Sequence, residues 1–326
     1  MVTETSMTGV ILDQGSIGLD IDYSLLYKSL PTWEAFSYTD NEAIADRIKS
    51  STVVVTNKVC LDRAVLEQAE SLKLLCVAAT GANNIDLNAA CDLNIKVANV
   101  AGYATPSVVE HTFLLMLSLM RNINAYQNDI FQGAWAASKH FCLLGHPISE
   151  LAGKKLGIVG YGELGQAVAV VARAFGMDVL VAKSLRQPAI SESFPRLALD
   201  ELLAEVDVLS LHCPLTDQTR GLINQQKMTL MKKSAIIINT ARGGIVDEHA
   251  LYQALSKGTI AGAGLDVLVE EPPSLACDLL RPSVPNLIVT PHIAWASQES
   301  RQRLVNEVAL NIQAFIQNDS RNLINC

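Results

Sequence analysis

Short runs rich in β-branched residues alternate with helical patterns along all 326 residues. That alternation admits few architectures, because strands that recur after helices build parallel βαβ units rather than a sandwich or a bundle. Two such series are readable. The first predicts strands at Val10–Asp13, Thr52–Thr56, Leu74–Ala78 and Lys96–Asn99. A long helix is then expected from Thr105-Pro106 to about Tyr126, with Thr105 as its cap and Pro106 in its first turn. The second series opens at Lys155 with LGIVG, DVLVA, DVLSLHC, AIIIN, AGAGLDV and NLIVT, which predicts a doubly wound sheet. An amphipathic helix, about Gln298 to Asn318, follows its last strand and can pack back on the first series. A chain of this length exceeds what one core usually serves. The expected class is therefore α/β, with two Rossmann-like domains on parallel sheets: residues 1–103 with 295–326, discontinuous in sequence, and residues 104–294.

The segment Asn122 to Glu150 fits neither series. It holds Trp135, Phe141 and Pro147 among mixed neighbours, and is open between a surface excursion and an oligomer arm. Composition narrows the partners. With 25 basic against 33 acidic residues the net charge is −8, and no Lys/Arg cluster marks a phosphate-backbone footprint, so nucleic acid is not an expected partner. The most apolar stretch, Phe113 to Met120, is too short for a membrane span and reads as a buried helix. Asp13, Asp20 and Asp22 near the start do not resemble a secretory leader, so the cytoplasm is the expected compartment. The seven cysteines, Cys60, Cys76, Cys91, Cys142, Cys213, Cys277 and Cys326, include no C-x-x-C pair; free thiols are expected, and no metal site.

In LGIVGYGELGQAV a buried strand runs through Gly160, Gly162 and Gly165 straight into a helix. The first glycine permits the tight turn, the second lets the backbone approach a pyrophosphate, and the third lets helix and strand pack closely. The helix N-terminus, with Glu163 and Leu164 in its first turn, attracts phosphates. Many turns that match the bare pattern bind nothing; the strand–turn–helix context is what points to a dinucleotide. An NAD site normally adds an acidic residue about twenty positions further on for the ribose 2′-OH. Here DVLVA ends in Ala182, Lys183 and Ser184, with Arg186 just beyond. Two cations and a hydroxyl suit a 2′-phosphate, so NADP is favoured over NAD. The alternative is that Lys183 and Arg186 are solvated loop charges and selectivity is loose.

Three further residues follow strands of the second series: Arg242 after AIIINTA, Glu271 after GLDVLVE and His292 after NLIVTP. Ligands of such sheets bind outside the carboxyl ends of the strands. A 2-keto acid needs a guanidinium for its carboxylate and an acid–base group for its carbonyl oxygen. A carboxylate beside an imidazole favours the charged ring and fixes its tautomer. Each residue alone has a structural alternative: a loop cation, a helix-start residue ahead of Pro272, a satisfied loop histidine. Their shared sheet with the glycine turn is what joins them.

The runs LHCPLTDQTRGLIN, INTARGGIVDEHAL, GAGLDVLVEEPP and TPHIAWAS, with ATGANNIDL and NVAGYATPSVVEHT upstream, resemble the D-isomer-specific 2-hydroxyacid dehydrogenases in order and spacing over essentially the whole chain. Within that family VVVTNKV, FCLLGHPISELAGKKLGIVGYG and HIAWASQESRQRL are most like the glycerate dehydrogenase, or hydroxypyruvate reductase, branch. The resemblance implies that Arg242 binds the substrate carboxylate, that His292 exchanges the proton and that Glu271 holds the histidine. It implies that Thr80 and Gly81 cradle the carboxylate through backbone N–H groups. Asp266 would lie near the nicotinamide carboxamide, and Cys213, Pro214, Thr219, Thr240 and Ala241 along the cofactor. The family's NAD-using members carry an acid where this chain has Lys183, so the resemblance gives no support to NAD over NADP. The expected reaction is reduction of hydroxypyruvate or glyoxylate, and its reverse, by a homodimer whose domains close about hinges near residues 101–105 and 294. Phe141 or Trp295 would shape the substrate pocket. Phosphoglycerate, formate and phosphite dehydrogenases share the fold and much of the trio, and family members that bind a dinucleotide as sensors or co-repressors look similar.

Overall fold

The computed structural model describes residues 7–185, 195–281 and 284–325; Arg186, expected at the cofactor, and Cys326, expected to be a free thiol, lie outside them. The chain divides into two compact units, residues 1–104 with 295–326 and residues 105–294.

In the first unit the order is β1 (Thr8–Ile11), α1 (Gln14–Ile17), α2 (Ser24–Tyr27), β2 (Thr32–Ala35), α3 (Ile44–Ile48), β3 (Val53–Thr56), α4 (Arg63–Leu66), β4 (Leu74–Val77), α5 (Leu87–Asp92) and β5 (Lys96–Ala98). Its five parallel strands lie in the order β2-β1-β3-β4-β5. β3 and β4 are buried along their length, as the apolar runs VVVT and LLCV require of strands covered on both faces. β2, not foreseen in the sequence, is a mostly exposed edge strand without an apolar run; its Trp33 ring fills the space over Gly9, where a Cβ would stand 2.5 Å from the ring.

The second unit runs α6 (Thr105–Met120), α7 (Ile123–Phe131), β6 (Lys155–Val159), α8 (Glu163–Ala174), β7 (Asp178–Val181), α9 (Leu199–Glu205), β8 (Val208–Leu211), α10 (Gln225–Leu230), β9 (Ile236–Asn239), α11 (Glu248–Ser256), β10 (Gly262–Leu265) and β11 (Leu287–Val289). Its six parallel strands have the order β11-β10-β9-β8-β6-β7, with apolar cores on both faces. The remaining helix, α12 (Gln298–Ile316), packs on β4 and α2 of the first unit. There Asn311 donates to the Asn99 carbonyl at 3.0 Å and the Arg303 guanidinium to the Tyr103 carbonyl at 2.9 Å.

Three expectations change. The long helix expected to reach Tyr126 ends at Met120, because Asn122 takes a left-handed conformation (φ 49°) and its side-chain amide donates to the Pro147 carbonyl at 2.6 Å. Thr105 lies inside α6, and its hydroxyl donates to Glu163 at 2.5 Å. Cys91 is disulfide-bonded rather than free, while Cys60, Cys76, Cys142, Cys213 and Cys277 are free thiols. Cys91 lies in the last turn of α5, shortly before β5, along which the C-terminal stretch returns through the Ala98–Leu323 bridge and the Ile324 N–H to Val97 carbonyl bond. Sequence spacing carries no sign of that return.

Among the described residues no helix is long and apolar enough to cross a membrane, and no cluster of three or more His, Cys, Asp or Glu could hold a metal ion.

Candidate active site

All six strands of the second unit point the same way, so the residues that follow them gather at one edge of the sheet. The order reverses at β6, whose neighbours are β7 and β8, and such a switch point opens a crevice at the strand ends. The glycine turn sits there. Gly160 has φ +93°, and a Cβ on it would stand 2.5 Å from the carbonyl carbon of His212, which follows β8. A Cβ on Gly165 would meet the Gly160 carbonyl at 2.2 Å, so helix and turn touch through backbone. Gly162 differs: a Cβ there meets no atom within 4 Å. It is also the N-cap of α8 and brings no side chain to the first amides, Glu163 and Leu164 among them. An open space beside amide donors at a twelve-residue helix N-terminus fits the pyrophosphate of a dinucleotide.

Around this turn, exposed Lys183 and half-buried Ser184 follow β7, with the Lys183 N–H held by the Leu197 carbonyl at 2.8 Å. Cys213 is buried, and burial pushes its thiol up to about 11, which keeps it protonated and inert. Thr219 is buried too; its hydroxyl donates to the Pro214 carbonyl at 2.7 Å and accepts the Thr216 N–H at 2.7 Å, pinning the 214–219 turn. His212 shares a 2.8 Å hydrogen bond between Nε2 and the Ser210 hydroxyl. Its Nδ1 is buried with no partner among the described residues, although the residue as a whole is partly exposed. Loss of hydration pulls its pKa down to about 4, so the ring is neutral near pH 7.

The catalytic candidates follow β9, β10 and β11. Asn239 ends β9 and brackets the next turn: its amide donates to the Arg242 carbonyl at 2.9 Å and its oxygen accepts the Ala241 N–H at 3.1 Å. Half-buried Arg242 is steadied by a 2.6 Å bond from Nη1 to the Ala241 carbonyl. A Cβ on Gly243 would fall 1.8 Å from the Leu268 carbonyl oxygen, so the Arg242 loop lies directly against the loop that carries Glu271. Glu271 divides its carboxylate. Oε1 accepts the Leu268 N–H at 2.9 Å and Oε2 pairs with His292 Nδ1 at 2.6 Å. Both partners keep part of their surface in solvent, 27% for the His292 side chain and 36% for Glu271.

His292 stands at φ +54°. Its N–H donates to the Asp266 carbonyl at 2.9 Å, and the Asp266 carboxylate accepts the Ile293 and Ala294 N–H groups at 2.9 and 2.8 Å. Asp266 is 1% exposed, so its carboxylate is an internal bracket for the 292–294 loop. His212, Thr240, Asp266 and Thr290 follow the paired ends of β8, β9, β10 and β11 and stand in one row across the sheet. Helix α6 lays His111 and Thr112 over that row: Thr112 reaches the Thr240 hydroxyl at 3.2 Å and His111 the Thr290 hydroxyl at 2.9 Å. Sequence reading missed His111 and Thr290. The available signal was a histidine between Val108, Val109, Thr112 and Phe113 on the face α6 buries.

In the first unit Thr80 and Gly81 follow β4. The Thr80 hydroxyl donates to the Val100 carbonyl at 2.9 Å and its carbonyl accepts from Asn99 at 2.7 Å. Among the described residues the N–H groups of Thr80 and Gly81 have no partner, an arrangement open to an anion.

Comparisons with known proteins show the family. The model of the D-isomer specific 2-hydroxyacid dehydrogenase NAD-binding domain matches residues 113–294. The chain is 43% identical to the glycerate dehydrogenase of Methylorubrum extorquens, over 87% of this chain and 88% of that protein. It is 37% identical to the hydroxypyruvate reductase of Blautia hydrogenotrophica, over 90% and 91%. The NADPH-dependent glyoxylate/hydroxypyruvate reductase of Sinorhizobium meliloti, solved with NADP and malonate, superposes with a TM-score of 0.82 at 25% identity, covering 98% of this chain and 97% of that one. A nicotinamide-dependent oxidoreductase of two parallel α/β units, this chain belongs to the D-isomer specific 2-hydroxyacid dehydrogenase family.

Proposed function

We propose that the protein reduces a small 2-keto acid, hydroxypyruvate or glyoxylate, to the 2-hydroxy acid and runs the reverse oxidation, with NADPH preferred over NADH. What carries this reading is the 2.6 Å Glu271–His292 pair at the same sheet edge as the open glycine turn. When bound, the nicotinamide supplies the hydride for the keto carbon. The chain's own residues do the rest. Arg242 takes the substrate carboxylate and orients the carbonyl, and the Thr80 and Gly81 amides of the first unit are donors of the kind a carboxylate binds. Glu271 holds Nδ1 of His292, so proton delivery to the carbonyl oxygen falls to Nε2. Gly160, Gly162, Glu163, Leu164 and Gly165 receive the pyrophosphate, while the backbone around Cys213, Pro214, Thr240 and Ala241 lines the cofactor. Thr219 shapes that wall, and Asp266 closes its nicotinamide end. Lys183 and Ser184 replace the acid that would repel a 2′-phosphate, which supports NADPH, as does the NADP bound to the Sinorhizobium relative.

A spectrophotometric panel of keto acids with NADH and NADPH in parallel tests this. The expected result is fastest turnover of hydroxypyruvate or glyoxylate and a higher kcat/KM with NADPH; no turnover of any 2-keto acid would remove the reading. We also infer a homodimer through residues 122–150. No residue of α7 is buried, and Phe131, Trp135, Phe141 and Leu144 stand exposed, an apolar surface that a second copy would cover. Sedimentation at the mass of a monomer would count against it.

A further inference from the structure

We propose that His111, on α6, is a positioning residue for the proton-transferring histidine, acting through Thr290 and the Asp266 carboxylate; this rests on the reading of His292 as the acid–base group. The Thr290 hydroxyl has one proton and gives it to Asp266 Oδ1 at 2.6 Å. It therefore meets His111 Nε2, 2.9 Å away, as an acceptor, which fixes Nε2 as the protonated nitrogen of His111. The same nitrogen lies 3.4 Å from Asp266 Oδ1. His111 and Thr290 thus hold one oxygen of a carboxylate whose remaining bonds go to the backbone of Ile293 and Ala294.

That backbone aims the His292 ring. His292 sits at positive φ, a conformation that neighbouring residues must impose on a non-glycine residue. The side chains of His111 and Asp266 are 10% and 1% exposed, so water does not replace a lost contact there. Removing the His111 N–H leaves Asp266 and Thr290 free to turn, and the 292–294 loop turns with them. The network meets the proposed cofactor path only at its nicotinamide end, through Asp266, and leaves the glycine turn untouched, so the effect falls more on the chemical step than on cofactor affinity.

The full-length enzyme, assayed with saturating NADPH and glyoxylate, tests this with His111→Leu, His111→Gln, Thr290→Val and the double variant H111L/T290V. H111L is expected to lower kcat on the order of tenfold while the KM for NADPH stays within about twofold. H111Q, whose amide N–H can stand in for Nε2–H, should recover most of the loss. T290V should match H111L, and the double variant should be no worse than either single one, because both cut the same chain of contacts. In imidazole NMR the Nδ1–H signal of His292 should shift in H111L and return in H111Q. A kcat for H111L within about twofold of the parent, or losses that multiply in the double variant, would overturn the inference. If H111L does not fold, Thr290→Val against Thr290→Ser decides the same point, the serine retaining the hydroxyl and the rate. His292→Asn separates the two readings: turnover retained there defeats the acid–base role itself, whereas an inactive H292N beside a fully active H111L defeats only the positioning role.

Discussion

Both units of this protein are doubly wound parallel sheets with a switch point, yet the two switch points are finished in opposite ways. In the second unit the crevice between β6 and β8 is left open: Gly162 has no neighbour within 4 Å of where a side chain would begin, and the α8 amides face that space. In the first unit the corresponding crevice, between β1 and β3, is filled by the chain itself. Asp13, 4% exposed, places Oδ1 on the Asn57 N–H at 2.9 Å and the Thr56 hydroxyl at 3.1 Å, and Oδ2 on the Lys58 N–H at 2.7 Å. The backbone donors that could take a ligand's phosphate already hold a built-in anion. Topology supplies the crevice, and one residue decides whether it receives a ligand.

Exchanging the two finishes tests that contrast. Gly162→Asp would put a carboxylate where the second unit is open; cofactor affinity measured by fluorescence titration should fall by about a hundredfold or more, with the melting temperature little changed because the position is roomy. Unchanged affinity would mean that the open turn is not the cofactor's seat. In the other direction, Asp13→Ala removes the acceptor shared by the Asn57 and Lys58 N–H groups and the buried Thr56 hydroxyl, and chemical denaturation should show a loss of about 3 kcal/mol. A neutral D13A variant would show the carboxylate to be incidental to the first unit.

A smaller effect comes from His212, which walls the second unit's switch point. Its folded pKa, about 4, lies below the ordinary value of 6.5 because the ring is shut away from water. Between those values the unfolded chain binds more protons, so stability is full above about pH 6.5 and is lost as pH falls towards 4. From pH 7 to pH 5 the loss attributable to this ring should be about 1–2 kcal/mol. His212→Gln should flatten that part of the stability profile, and an unchanged slope would assign it to other groups.

Much of the second unit was legible in the sequence because its signals are local. Strands covered on both faces need continuous apolar runs, and β6 to β10 have them; the glycine turn is a contiguous motif; Glu271 and His292 each follow a strand of that unit. What escaped reading depends on partners far along the chain. The His111–Thr290 bond joins residues 179 apart, and the Asn122 amide that breaks the long helix finds its acceptor at Pro147. β2 is an edge strand of mostly exposed residues, so it lacks the run that marks a buried one. Asp13 is one acid among 33 until the fold brings donors from residues 56–58 around it.

The contact between Gly243 and the Leu268 carbonyl has a consequence for how such an enzyme changes its diet. The loop that carries Arg242 and the loop that carries Glu271, the partner of His292, touch through main chain, at a point where even one methyl group would collide with a carbonyl oxygen. The spacing between these two loops is therefore written into the backbone and is indifferent to the side chains that line the pocket. Selection, or a protein engineer, can reshape that lining for larger or smaller keto acids while the spacing of the reactive groups stays as it was.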